Sequence, residues 1–299
     1  MVCEQLFGAI EIGGTKIICA VGYEDGSIVE KFRFPTSTPK ENLPQMIDFL
    51  RGFDIGSVGV GTVGPVNLHG SIPEYGTILA CPREAWSYCR LAESLDAGLN
   101  VPIAVDSDVN AACIGESRFG AGKGKQNVLY ITVGTGIGIG IVIDGKPLHG
   151  MLHPEGGHSK VERYPGDAMQ SACRFHPDCA EGMASGTALG KRIGGKGELL
   201  SEDDPVWDIE AHYLSQLVRN CMQIVSPNVI VMGGGVMDRE FLFPMIRRNV
   251  ASQLHGHYIW GESQDMDSYI VPSQLGGNQA LMGCLAMAAD TFGHPTCPL

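Results

Sequence analysis

Four times in this chain an apolar, β-branched run ends in a cluster of glycines: "IEIGGTKI" at 10–17, "VGVGTVGPV" at 58–66, "ITVGTGIGIGIVIDG" at 131–145 and "VIVMGGGV" at 229–236. Short apolar runs bounded by glycine read as buried strands ending in tight turns, because glycine accepts backbone angles and close approaches that a Cβ forbids. The first and third runs share a plan, in which a strand enters Gly-Gly-Thr or Gly-Thr and a second apolar strand follows at once. The two copies, "GAIEIGGTKIICAVGYEDGSIVE" and "VLYITVGTGIGIGIVIDGKPLHG", are offset by 121 positions from Gly13 to Gly134 and form a weak internal repeat. Helical patterns lie between them: Leu43, Met46, Ile47, Leu50 and Phe53 share one face, as do Leu214, Leu217, Val218, Cys221, Met222 and Val225. Alternating strands and helices predict an α/β fold, and 299 residues suffice for two domains or one duplicated unit. The segment "VPIAVDSDVNAACIGESRFGAGKG" passes from strand to helix to a Gly/Lys turn, which places a boundary near residue 118. A smaller domain over 1–118 and a larger one over 119–299 are expected. The last apolar helix, "NQALMGCLAMAAD", can pack on either half, and the tail "HPTCPL" reads as loose.

Charge narrows the partners. Lys and Arg total 21 against 33 Asp and Glu, and a net charge of −12 repels a polyphosphate backbone, so no nucleic acid is expected. The start, "MVCEQLFGAIEIGG", lacks the basic and apolar stretches of a signal peptide, and no apolar run approaches the roughly 20 residues of a membrane span. No membrane association and a cytoplasmic location are the expectation. Cys19, Cys113, Cys221 and Cys284 sit inside apolar runs and read as small core residues rather than a disulfide framework.

Two features carry chemistry. Gly-Thr hairpin loops suit an anion, because glycines let backbone N–H groups approach it and the Thr hydroxyl adds a donor. Neither loop has the spacer and following helix of the Walker pattern or of the dinucleotide fingerprint. The second feature is Cys173-x2-His176-x2-Cys179, with His158 fifteen residues ahead of the first cysteine. Two thiolates and two imidazoles meet the tetrahedral preference of Zn²⁺ and leave no open position for water. A hydrolase using this metal would need such a position, so the site reads as structural.

The order "GGTK", "DVNAACIGE", "ITVGTGIGIGIVIDG", "HPEGGH", the cysteine cluster and "VIVMGGGV", covering residues 8 to about 285, resembles that of ROK-family sugar kinases. The resemblance implies duplicated actin/hexokinase-like (ribonuclease H-like) α/β domains flanking a cleft, with a zinc-binding insertion over 153–182. By the same resemblance Asp108 is the catalytic base, with Asp106 its nearest rival; as an acid opening a helix, Asp108 also suits a plain N-terminal cap. Gly13, Gly14, Thr15 and Lys16 resemble the first phosphate loop, Thr135, Gly136 and Gly138 the second, and Gly233, Gly234 and Gly235 the adenosine turn. Glu155 and His158 resemble the family's Glu-x-Gly-His sugar signature, with Gly156 in place of an apolar residue, and Glu181 a third hydroxyl contact. Gly64, Pro65, Thr77 and Asn110 are weaker sugar-contact candidates by analogy. Glu11 stands where many members have Asp and is the candidate Mg²⁺ contact, although a Glu at a strand end is also an ordinary solvated residue. Both Glu11 and His176, which replaces a cysteine, are traits of the fructokinase branch. The implied activity is ATP-dependent phosphorylation of D-fructose to fructose 6-phosphate by a homodimer that uses Mg²⁺ with ATP and holds structural Zn²⁺. Glucose, mannose or an N-acetylhexosamine are alternative substrates sharing every motif. A sugar-sensing regulator would need a DNA-binding module, for which the seven residues before Gly8 leave no room.

Overall fold

The computed structural model describes residues 5–195, 197 and 200–292; the tail expected to be loose, 294–299, lies outside the described residues. The chain first forms β1 (Leu6–Ile12), β2 (Lys16–Gly22), β3 (Ile28–Pro35), α1 (Pro39–Leu50), β4 (Ile55–Thr62), α2 (Leu91–Leu99), β5 (Ile103–Ser107) and α3 (Asp108–Phe119). These strands build a sheet in the order β3-β2-β1-β4-β5, with β1 antiparallel to β2 and parallel to β4, and β4 parallel to β5.

There follow β6 (Val128–Val133), β7 (Ile137–Ile143), β8 (Lys146–Pro147), α4 (Ala180–Ala184), α5 (Gly186–Ile193), α6 (Val206–Val225), β9 (Val229–Gly233), α7 (Leu242–Leu254), α8 (Met266–Tyr269), β10 (Ile270–Pro272) and α9 (Gln279–Thr291). From its far edge the second sheet runs β8-β7-β6-β9-β10, with β9 parallel to both β6 and β10. Strand β6 therefore holds the place in its sheet that β1 holds in the first. The weak repeat read from the glycine loops is a repeat of topology, and the fold is the duplicated α/β plan.

Among the described residues two compact units result, one from 5–124, 140–154 and 275–292, the other from 125–139 and 155–274. In the first, β1 and β4 are buried along nearly their whole length, as near-continuous apolar strands covered on both faces should be. Met46 and Leu50 of α1 and Leu91 and Leu95 of α2 are fully buried against Ile10, Ile12, Val58 and Val60, and Leu43, Ile47 and Phe53 pack at the edge of that cluster. On α3 and α9 the backbones cross closely, since a Cβ on Gly283 would strike the Ala111 carbonyl. In the second unit α6 buries Leu214, Leu217, Val218, Cys221 and Met222 along the predicted stripe, with Val225 half-buried. The cysteines at 19, 113, 221 and 284 are buried, and burial pushes the Cys221 thiol up to about 12. Among the described residues no helix is long and apolar enough to cross a membrane.

Candidate functional site

In the first unit Asp106 and Asp108 lie at the junction of β5 and α3. Ser107 caps the helix, its hydroxyl accepting from the Asn110 amide at 3.1 Å, and Asp108 opens the first turn, where the helix dipole favours an acid. Asp108 is half-buried and its Oδ1 accepts from the Val109 amide at 2.8 Å. Its rival Asp106 is buried and committed: Oδ1 accepts from the Ser107 amide at 2.7 Å and from Asn110 Nδ2 at 2.8 Å, and Oδ2 faces His149 Nε2 at 2.7 Å. Burial pulls the His149 imidazole pKa down, but the hydrogen bond and charge of Asp106 outweigh it, and the net shift is upward. Asn110 is wholly buried, and among the described residues its Oδ1 has no hydrogen-bond partner.

Glu11 is half-buried near the end of β1; burial pushes its carboxyl pKa up against the opposing pull of Lys16 and Lys31. Beyond it the first Gly-Thr loop closes as a tight hairpin, Gly13 donating to the Lys16 carbonyl at 3.0 Å, with Gly14 and Thr15 exposed at its tip. Gly64 and Pro65 border a loop built on His153, whose Nε2 accepts from the Val66 amide at 3.2 Å. The Thr77 hydroxyl donates to the Pro73 carbonyl at 3.1 Å and so belongs to the loop's own structure.

In the second unit the Gly-Thr loop is pinned from below. Gly134 donates to the Gly136 carbonyl at 2.9 Å, Gly186 donates to the Gly134 carbonyl at 2.7 Å, and the Thr187 hydroxyl donates to the Thr135 carbonyl at 2.7 Å. A solvent-open cavity of about 230 Å³ lies here, lined by Thr135, Gly136, Ala172, Glu181, Ser185 and Thr187. Gly138 continues the loop into β7. The Gly233–Gly235 turn abuts the same strand end: Gly234 has φ +92° and the Val236 amide donates to the Val133 carbonyl at 3.0 Å.

Glu155 and His158 bracket a single 3-10 turn, the His158 amide donating to the Glu155 carbonyl at 3.1 Å. His158 Nδ1 faces Cys173 Sγ at 3.8 Å and Cys179 Sγ at 3.7 Å, and His176 Nδ1 lies 3.6 Å from Cys173 Sγ. All four ligand atoms fall within 4.8 Å of one another. A tetrahedral zinc with bonds of about 2.0 Å to nitrogen and 2.3 Å to sulfur separates its ligand atoms by roughly 3.3–3.8 Å, so the donor set fits. Burial pushes the Cys179 thiol up to about 11, partly opposed by the Gly182 amide and reinforced by Cys173 and Glu181, so a cation is needed to hold it as thiolate. Glu181 links this cluster to the Gly-Thr loop, with Oε1 3.8 Å from His158 Nδ1 and Oε2 accepting from the Ile137 amide at 3.2 Å.

The ROK family model matches residues 7–291, nearly the whole chain. The chain belongs to the ROK family. A fructokinase from Pediococcus pentosaceus is 38% identical over 284 residues, covering 95% of this chain and 98% of that protein. A fructokinase from Streptococcus mutans is 36% identical over 291 residues, covering 95% and 98%. Among solved structures, a ROK family glucokinase from Streptomyces griseus in complex with glucose and AMPPNP superposes with a TM-score of 0.72 at 28% identity, covering 95% of this chain and 99% of that one.

Three groups in this ROK chain escaped sequence reasoning. His149 is 43 residues from the carboxylate it holds, and no local pattern joins them. His153 lies in a loop and is buried there, its ring accepting from the Val66 amide beside the Gly64–Pro65 turn. Asp167, in the loop after Tyr164, accepts from Tyr213 Oη at 2.7 Å and from Arg192 at 3.1 Å. Arg192 reaches on to Glu210 at 3.8 Å, and burial pushes that wholly enclosed carboxyl up against the arginine's pull.

Proposed function

We propose that this protein transfers the γ-phosphoryl group of Mg-ATP to the 6-hydroxyl of D-fructose, giving fructose 6-phosphate and ADP. The observation that carries the substrate is the identity of 36–38% to fructokinases over 95% of the chain, against 28% to a structurally similar glucokinase. Asp108 takes the proton of the sugar hydroxyl as its oxygen bonds to the γ-phosphorus and the bond to the β-phosphate oxygen breaks. Both Asp106 oxygens are already held by donors in a buried corner, which weighs against Asp106 as the base. Gly13, Gly14, Thr15, Lys16, Thr135, Gly136 and Gly138 would hold the phosphates through amides, hydroxyls and the lysine charge. Gly233, Gly234 and Gly235 would accommodate the adenosine. Glu155, His158 and Glu181, with weaker contributions from Gly64, Pro65, Thr77 and Asn110, would read the sugar hydroxyls. Mg²⁺ enters with ATP, with Glu11 as its candidate contact. Zinc held by His158, Cys173, His176 and Cys179 would supply a closed clamp that fixes the 155–181 segment.

The test is ADP release measured over a panel of hexoses. Fructose should give the highest kcat/KM; activity confined to glucose, mannose or an N-acetylhexosamine would sink the substrate assignment, and no turnover with any sugar would leave a binding role.

A further inference from the structure

Asp106 is a buried carboxylate two residues ahead of Asp108, and a buried charge is costly unless its oxygens are satisfied. Oδ1 is held from within the corner, by the Ser107 amide and by Asn110 Nδ2. Oδ2 is held from outside it, by His149 Nε2 at 2.7 Å, in a pair whose side chains are 17% and 2% exposed. The net upward shift of the imidazole agrees with a charge-assisted bond.

The histidine is itself fixed on both sides. It follows β8, and the β7–β8 hairpin lies against the start of α3 so closely that a Cβ on Gly140 would strike the Val109 carbonyl. Beyond it, His69 Nε2 lies 2.9 Å from the Gly150 carbonyl and 3.1 Å from that of Met151, and His153 is locked beneath Val66. A side chain on a pinned segment thus reaches across 43 residues to the carboxylate that organises the first turn of α3.

We propose that His149 is a positioning residue for phosphoryl transfer, acting through Asp106 to set the β5–α3 corner and with it the Asp108 carboxylate. This rests on the assignment of Asp108 as base. Loss of the His149 donor leaves Oδ2 of a buried carboxylate unsatisfied, and the corner relaxes to find a replacement. A misplacement on the scale of 1 Å can cost on the order of 10²-fold in rate.

Steady-state kinetics with fructose on full-length wild type, His149→Phe, His149→Gln, Asp108→Asn and the double variant Asp108→Asn/His149→Phe test this. His149→Phe should lower kcat by roughly 10- to 100-fold with KM for fructose changed less than about threefold. His149→Gln, which keeps a side-chain N–H donor, should recover most of kcat. In the Asp108→Asn background the His149→Phe change should cost nothing further, as expected for residues acting as a unit. A fully active Asp108→Asn enzyme overturns the base assignment itself. An impaired Asp108→Asn with an unimpaired His149→Phe overturns the positioning role alone, as does an equal loss from His149→Phe in both backgrounds. If His149→Phe unfolds, His149→Gln with kcat reduced more than tenfold at an unchanged melting temperature likewise overturns it.

Discussion

Gly234 lies just past β9 with φ +92°, and a Cβ added there would sit 2.6 Å from the carbonyl carbon and oxygen of Val133 and 2.7 Å from its nitrogen. The obstruction is the backbone of the last residue of β6, so no rotamer change relieves it. Forcing an L-residue into the positive-φ region costs about 1–2 kcal/mol, and overpacking a rigid contact about 1–3 kcal/mol, so Gly234→Ala should cost roughly 2–5 kcal/mol. Gly235, the next residue, is exposed and has nothing within 4 Å of an added Cβ. Gly235→Ala should therefore change stability by less than about 0.5 kcal/mol. Urea unfolding followed by tryptophan fluorescence reads both values. Because Val133 leads directly into Gly134, Thr135 and Gly136, the folded Gly234→Ala enzyme should also bind ATP several-fold more weakly while KM for fructose moves less. Equal unfolding midpoints for the two variants would refute the argument from backbone contact.

Three other outcomes are expected. Asp108→Asn should lower kcat by about 10²–10⁴-fold while a fructose-binding assay shows affinity retained, the range typical of losing a general base. Protein purified without chelator should carry one zinc per chain by metal analysis. Cys179→Ser should lose that zinc and melt at a lower temperature, even though serine preserves the acceptor that Cys179 offers the Gly182 amide. Burial pushes the Asp167 carboxyl pKa up, but Tyr213, the Met169 amide and Arg192 outweigh it and hold it below the ordinary range. Its contribution to stability is present above the unfolded value of about 3.9 and is lost as pH falls through the lower folded value. Unfolding free energy measured from pH 6 down to pH 2 should then fall less steeply in Asp167→Asn than in wild type.

How much of this was legible depended on sequence distance. The α3 start, the Glu155–His158 turn and the Cys173–Cys179 spacing are local, and local spacing maps directly onto shared faces and turns. The hold on Asp106 was not legible, because it comes from His149 on a separate hairpin. Nor was the network of Asp167, Arg192 and Glu210 with the Tyr213 hydroxyl, because its partners come from separate elements and meet only once α5 and α6 pack together.

The sequence by itself carried the α/β class and a weak repeat of its glycine loops, because glycines at strand ends and apolar periodicity are consequences of backbone sterics and burial that every local segment carries with it. The tertiary structure alone decided which carboxylate is held by His149, that Glu181 lies against both the Cys/His cluster and the second Gly-Thr loop, and which loop acid is buried in an ion pair. Those outcomes depend on desolvation and on donors brought from tens of residues away, and neither exists until the chain has closed on itself.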